Sequence, residues 1–142
     1  MGIIVKELVG QHVDNTAYCL GRCVWASKRV SDALYVSKLP HLNPILVEAQ
    51  CDMDADSIAR LFSYSLQLKQ EYSQLPKVLV ISIKSITTGV KSKFKNLENN
   101  CMYTMDCDFW AESCQILSAK SIQAHLKGNP LNKLVALGHF LI

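Results

Sequence analysis

Apolar and polar positions along the chain change period several times, and each change marks an element. Residues 3–11 carry Ile4, Leu8 and Gln11 on one helical face with Val5 and Val9 beside them, which predicts a short helix ending near Gly10. Asp14, Asn15 and Thr16 make a turn. Residues 18–26, YCLGRCVWA, favour a strand that Gly21 interrupts as a bulge, and 27–29 would turn the chain into a strand at 31–36. Two prolines make 39–44 a connection rather than regular structure. The run ILVEAQ at 45–50 is a second strand, apolar until its end. In 54–74, Ile58, Leu61, Phe62, Tyr64, Leu68 and Tyr72 recur at three-and-four spacing, the stripe of an amphipathic helix. The acidic turn at 52–57 would cap it, with Ser57 or Asp56 accepting from the free amides. Leu75-Pro76 ends that helix, because the residue before a proline avoids helical angles. KVLVISI at 77–83 is almost continuously apolar and β-branched, as in a central strand covered on both faces. Strand, long helix and buried strand together predict a right-handed parallel crossover.

The remainder is less periodic. Residues 85–100 are polar and read as an exposed loop, with a helical turn at 90–97. Residues 101–106 resemble an edge strand, and Phe109 and Trp110 would anchor the following segment in the core. The other reading of those two rings is a base-stacking platform. A strand at 112–117, a capped helix at 118–127 closed by Gly128, and a last helix from Pro130 complete the chain. Leu131, Leu134, Val135, Leu137 and Leu141 would pack that last helix back. With no internal repeat, low-complexity tract or linker, 1–142 reads as one α/β domain, a length that suits a single core.

Composition narrows the class. Apolar residues are 49% of the chain, ordinary for a globular protein. No apolar run approaches the roughly 20 residues of a membrane helix, and MGIIVKELVG is no secretory signal, so an intracellular protein (nuclear or cytoplasmic) with no membrane is expected. Lys6 stands where a myristoylation motif wants Ser or Thr. Six cysteines fit reduced, half-buried side chains; Cys19 and Cys23 are half of a zinc spacing whose other half is missing. The net charge of +3 is mild, but Lys84, Lys91, Lys93 and Lys95 bunch together. Such a cluster would gain from counter-ion release at phosphates; its plainer reading is a solvated loop.

The chemistry-bearing residues gather at the two early strands. Side chains alternate across a strand, so Glu48 and Gln50 point one way and Ala49 the other. If the strands are neighbours, Asp32 meets Glu48 and Gln50, and two carboxylates with an amide converge at the rim of an apolar sheet. Hard divalent cations such as Mg²⁺ take one or two carboxylates and keep several waters. Asp32 followed by Glu48-Ala49-Gln50 resembles the core of the PD-(D/E)XK nuclease superfamily, with Ser31-Asp32 in place of Pro-Asp and Gln50 in place of Lys. The Gln resembles the transposon-associated, recombination-promoting branch, and MDCDFWAESCQILSAKSI resembles mobile-element-encoded relatives.

The resemblance implies a restriction-endonuclease-like core, a mixed central sheet flanked by helices. It implies a DNA endonuclease in which Asp32, Glu48 and the Ala49 carbonyl bind Mg²⁺ (or Mn²⁺) and Gln50 orients the attacking water. It also suggests that Glu7, on the first helix, joins the metal site. Surface charge is the plainer explanation of Glu7. Arg60 and Tyr64 lie one turn apart and either could reach the same face as a phosphate ligand or positioning group, and Lys91, Lys93 and Lys95 would bind DNA. A salt bridge and a core tyrosine are the plainer readings of Arg60 and Tyr64. Enzymes of this type often act as homodimers, and the apolar last helix is a reasonable dimer face. Gln cannot carry the charge of Lys. Two rival readings therefore stand beside the nuclease: a nuclease-like fold without catalysis that binds nucleic acid or protein, and an unrelated α/β interaction protein. No Gly-x-Ser-x-Gly, P-loop or His-Glu-x-x-His is present, and His12, His41, His125 and His139 stand singly.

Overall fold

The structure, a computed structural model, describes residues 1–25, 30–96 and 101–141. Its centre is a seven-stranded mixed sheet in the order β1-β2-β3-β4-β7-β6-β5, with helices on both faces. A meander of β1 (Tyr18–Leu20), β2 (Ala33–Ser37) and β3 (Ile45–Met53) is antiparallel throughout. Helix α2 (Ala55–Tyr72) then crosses over to β4 (Lys77–Ile86), which lies parallel to β3. The short helix α3 (Thr88–Lys91) and the strands β5 (Phe94–Asn96) and β6 (Tyr103–Met105) lead to β7 (Ser113–Ser118), parallel to β4 on its other side. Helices α1 (Gly2–Leu8), α4 (Ala119–His125) and α5 (Lys133–Leu141) complete the chain. No helix among the described residues is long and apolar enough to cross a membrane.

Two apolar clusters form because alternate side chains of the central strands go to opposite faces. Leu34, Leu46, Val78, Val80 and Ile116 meet Leu61, Tyr64 and Leu68 of α2. On the other face Ile45, Val47, Leu79, Ile81 and Leu117 meet Ile4, Val5 and Leu8 of α1, Ile122 of α4 and Leu134 and Val135 of α5. β4 is interior to the sheet and its residues 78–81 are at most 1% exposed, as its unbroken apolar run requires.

Several expectations need correction. The first strand stops at Leu20, because Gly21 presses against β2: its amide donates to Leu34 O at 2.7 Å, and a Cβ there would sit 2.9 Å from Leu34 Cδ2. Among the described residues the Val24–Val30 bridge is the pairing beyond it, and the expected turn at 27–29 falls outside the described residues. The cap of α2 is Asp54, extended at φ −128°, whose carboxylate accepts from Ser57 N. Residues 85–96 are not an open loop: β4 runs on to Ile86, the helical turn comes at Thr88–Lys91, and β5 pairs outside β6. Consequently β6 is not the edge; Phe94 and Met105 pair across and turn into the α2-side cluster. Trp110 is buried against Phe62, with ring centroids 4.5 Å apart, but Phe109 is 93% exposed at φ +72°. The last helix begins at Lys133 rather than Pro130, where the Asn132 side chain accepts from Leu134 N at 2.8 Å.

Candidate active site

Asp32 lies one residue before β2, and the β2–β3 register sets Ala33 against Val47, so Asp32 continues opposite Glu48. Leu34 and Leu46 both face α2, and period two puts Asp32, Glu48 and Gln50 on that same side. The contacts are direct. Asp32 Oδ2 accepts from the Ala49 amide at 2.7 Å, and the Asp32 amide in turn donates to the Glu48 carboxylate. Gln50 Nε2 donates to Glu48 Oε2 at 3.3 Å. Arg60 Nη2 donates to Gln50 Oε1 at 2.8 Å and lies 3.5 Å from Ser57 Oγ. A guanidinium has donors only, so the Gln50 oxygen must face Arg60 and its NH₂ must face Glu48.

Glu48 is the unusual group. It is 4% exposed, and its Oε1 is buried without a hydrogen-bond partner. Burial, and then the charge of Asp32, push its carboxyl from the ordinary 4.5 up to about 7. The Asp32 amide, the Gln50 amide and the Arg60 charge pull the other way without cancelling the rise. An unpaired oxygen on a buried acid beside a second acid is costly unless a proton or a cation occupies the gap. A divalent cation suits that gap: hard, oxygen-seeking and content with two carboxylates plus water.

Not every expected residue joins this cluster. Glu7 sits on α1, which covers the opposite face, and it lines a surface groove with Lys6, Gln11 and Lys133. The structure thus does not bring Glu7 to Asp32 and Glu48, and among the described residues no three His, Cys, Asp or Glu side chains cluster as a metal site. Tyr64 is buried and stacks on Trp25, with centroids 4.9 Å apart, so it packs while Arg60 reaches the site. The lysine group divides. Lys93 and Lys95 line an apolar cleft of about 610 Å³ beyond the other flank of α2, and Lys95 Nζ is paired with Asp106 Oδ1 at 2.6 Å. Lys91 and Lys84 instead line a smaller pocket of about 170 Å³ with Lys120. Sequence reasoning missed Lys120, since only the β4–β7 pairing brings it beside Lys84; no local pattern marks it.

Compared with known proteins, the chain matches no family model, no curated sequence and no solved structure. Fold and site therefore define the class by themselves: an α/β protein whose seven-stranded mixed sheet, flanked by helices, carries two apposed carboxylates, an amide and an arginine on one face.

Proposed function

We propose that this chain is a metal-dependent DNA endonuclease of the PD-(D/E)XK type, of the kind associated with mobile elements and acting inside the cell. The observation that carries the reading is the buried, unpartnered Glu48 Oε1 next to Asp32. The order of elements supports it: helix, three-strand antiparallel meander, crossover helix and parallel strand, with one acid just before the second strand and the other on the third. Such an order suits the restriction-endonuclease-like core which the resemblance implies.

In this reading Asp32 and Glu48 hold Mg²⁺ or Mn²⁺, with the Ala49 carbonyl as a further ligand. Bound there, such an ion lowers the pKa of a coordinated water and relieves charge on the leaving oxygen. Gln50 spends one N–H on Glu48, which fixes the carboxylate, and keeps its second N–H to orient the attacking water. Arg60 locks the Gln50 amide by holding its oxygen, and its remaining donors face an incoming phosphate. Positive charge that Gln50 lacks thus enters the site from α2, one residue removed. A homodimer belongs to the same proposal, since cutting both strands needs two sites.

The test is nicking of supercoiled plasmid with Mg²⁺ or Mn²⁺. Parent protein should convert plasmid to the open circle, and Asp32→Asn and Glu48→Gln should each lower the rate by about 10²-fold or more, as loss of a preorganised charge at a reacting centre does. An Asp32→Asn protein that cuts as fast as the parent overturns the assignment. A parent protein that binds DNA but never nicks it points to the non-catalytic nuclease-like fold.

A further inference from the structure

The α2-side face of the sheet changes character along its length. Its lower rows are apolar: Leu46 beside Val78, then Val80 beside Ile116. One row above Glu48 and Val80, the pairing sets Gln50, Ser82 and Ser118 side by side across β3, β4 and β7. This row lies at the carboxyl ends of three parallel strands, where open α/β sheets accept ligands. Ser82 and Ser118 are both buried, and their hydroxyls are satisfied inside the chain, by Ser85 O at 3.3 Å and Ser121 N at 3.0 Å. They contribute small size, leaving a groove where larger side chains would fill the space.

That groove is the pocket of about 170 Å³. Lys84, Lys91 and Lys120 rim it, all exposed, and among the described residues no carboxylate lines it. Among the described residues none of the three is ion-paired, and Lys95–Asp106 is the one ion pair. Phe94 and Tyr103, stacked with centroids 5.6 Å apart, form the apolar side of the same pocket. Cations facing an aromatic wall suit a strand of nucleic acid better than a bare anion: phosphates meet the lysines while sugars and bases meet the rings. Ser82 lies beside Gln50 in the register, and neighbouring strands are about 4.8 Å apart, so the pocket's Ser82 side is one strand away from Gln50.

We propose that the Lys84–Lys91–Lys120 pocket is the backbone-binding subsite through which a DNA strand is led to the carboxylates. The proposal rests on the nuclease reading for what happens to that strand, and adds which surface holds it. Lys93 and Lys95 lie outside the subsite.

The experiment is fluorescence anisotropy of a labelled DNA oligonucleotide in EDTA, titrated at several salt concentrations. Three proteins are compared: the parent, the triple variant Lys84→Gln/Lys91→Gln/Lys120→Gln, and a charge-matched control Lys38→Gln/Lys127→Gln/Lys133→Gln on other exposed positions. Each phosphate contact contributes about one unit to the slope of log affinity against log salt. The pocket variant should lose about three units of slope, and the control less than about one. Lys120→Gln alone should lose about one unit, a second readout should the triple variant unfold. A pocket variant that keeps the parent slope, or a control that loses as much, overturns the subsite. If that parent protein still nicks plasmid, the nuclease reading survives the loss. A parent protein with no DNA affinity takes both down.

Discussion

Glu48 concentrates the chemistry of the molecule in one side chain. The apolar neighbours that bury it raise its affinity for a proton, and Asp32 raises it further. Without metal, the folded chain therefore holds that proton more tightly than the unfolded chain does. The resulting stabilisation is complete below about 4.5 and gone once the pH has passed about 7. Denaturant midpoints measured without divalent ions should fall as the pH rises through that window, and Glu48→Gln should flatten the fall. The charged groups that set the window are Asp32, which raises it, and Arg60, which lowers it. Unchanged pH dependence in Glu48→Gln would mean that some other group titrates. Arg60 matters at the same scale: its hydrogen bonds reach Glu48 through Gln50, and its charge lowers the Glu48 pKa.

Among the elements, α2 does two jobs with two parts of its surface. Its apolar stripe seals one face of the sheet, while Arg60 on the flank next to β3 reaches Gln50. The capping box formed by Asp54 and Ser57 fixes where the helix starts, and hence where Arg60 emerges one turn later. On the opposite face α5 is held close to α4 and β7 by Gly138. A Cβ there would come within 2.6 Å of Ile122 Cδ1 and 2.7 Å of Leu117 Cδ2, both on fully buried side chains. Gly138→Val should therefore destabilise the protein by about 1–3 kcal/mol through overpacking, read as a lower denaturant midpoint with unchanged slope. A neutral or stabilising result would show that α5 can lift away from the sheet at no cost.

At the scale of the whole molecule, the sheet has one chemical face and one structural face. The α2 side carries the acids, the serine row and the basic pocket; the α1, α4 and α5 side is closed by packing. α5 turns Leu134, Val135 and Gly138 inward and leaves Phe140 85% exposed. If a second copy completes the proposed enzyme, this outer side of α5 is its seat. Sedimentation should then report a dimer for the parent and a monomer for Phe140→Asp, with little change in unfolding midpoint because that ring lies outside the core. A parent protein that sediments as a monomer at assay concentration removes the homodimer from the proposal.

What could be read from the chain alone was what local geometry dictates. Alternation along ILVEAQ put Glu48 and Gln50 on one side, three-and-four spacing drew α2, and the unbroken run at 77–83 marked β4 as interior. Short elements were harder: β5, three residues within a polar stretch, has no period of its own and exists because β6 offers it a partner. Three further features belong to the tertiary structure. They are the hold of Arg60 on Gln50, the placing of Glu7 behind the sheet, and the division of the lysines that brings in Lys120. Each depends on which strands and helices become neighbours, and that is decided by the competition among long-range packings rather than by any repeat within a segment.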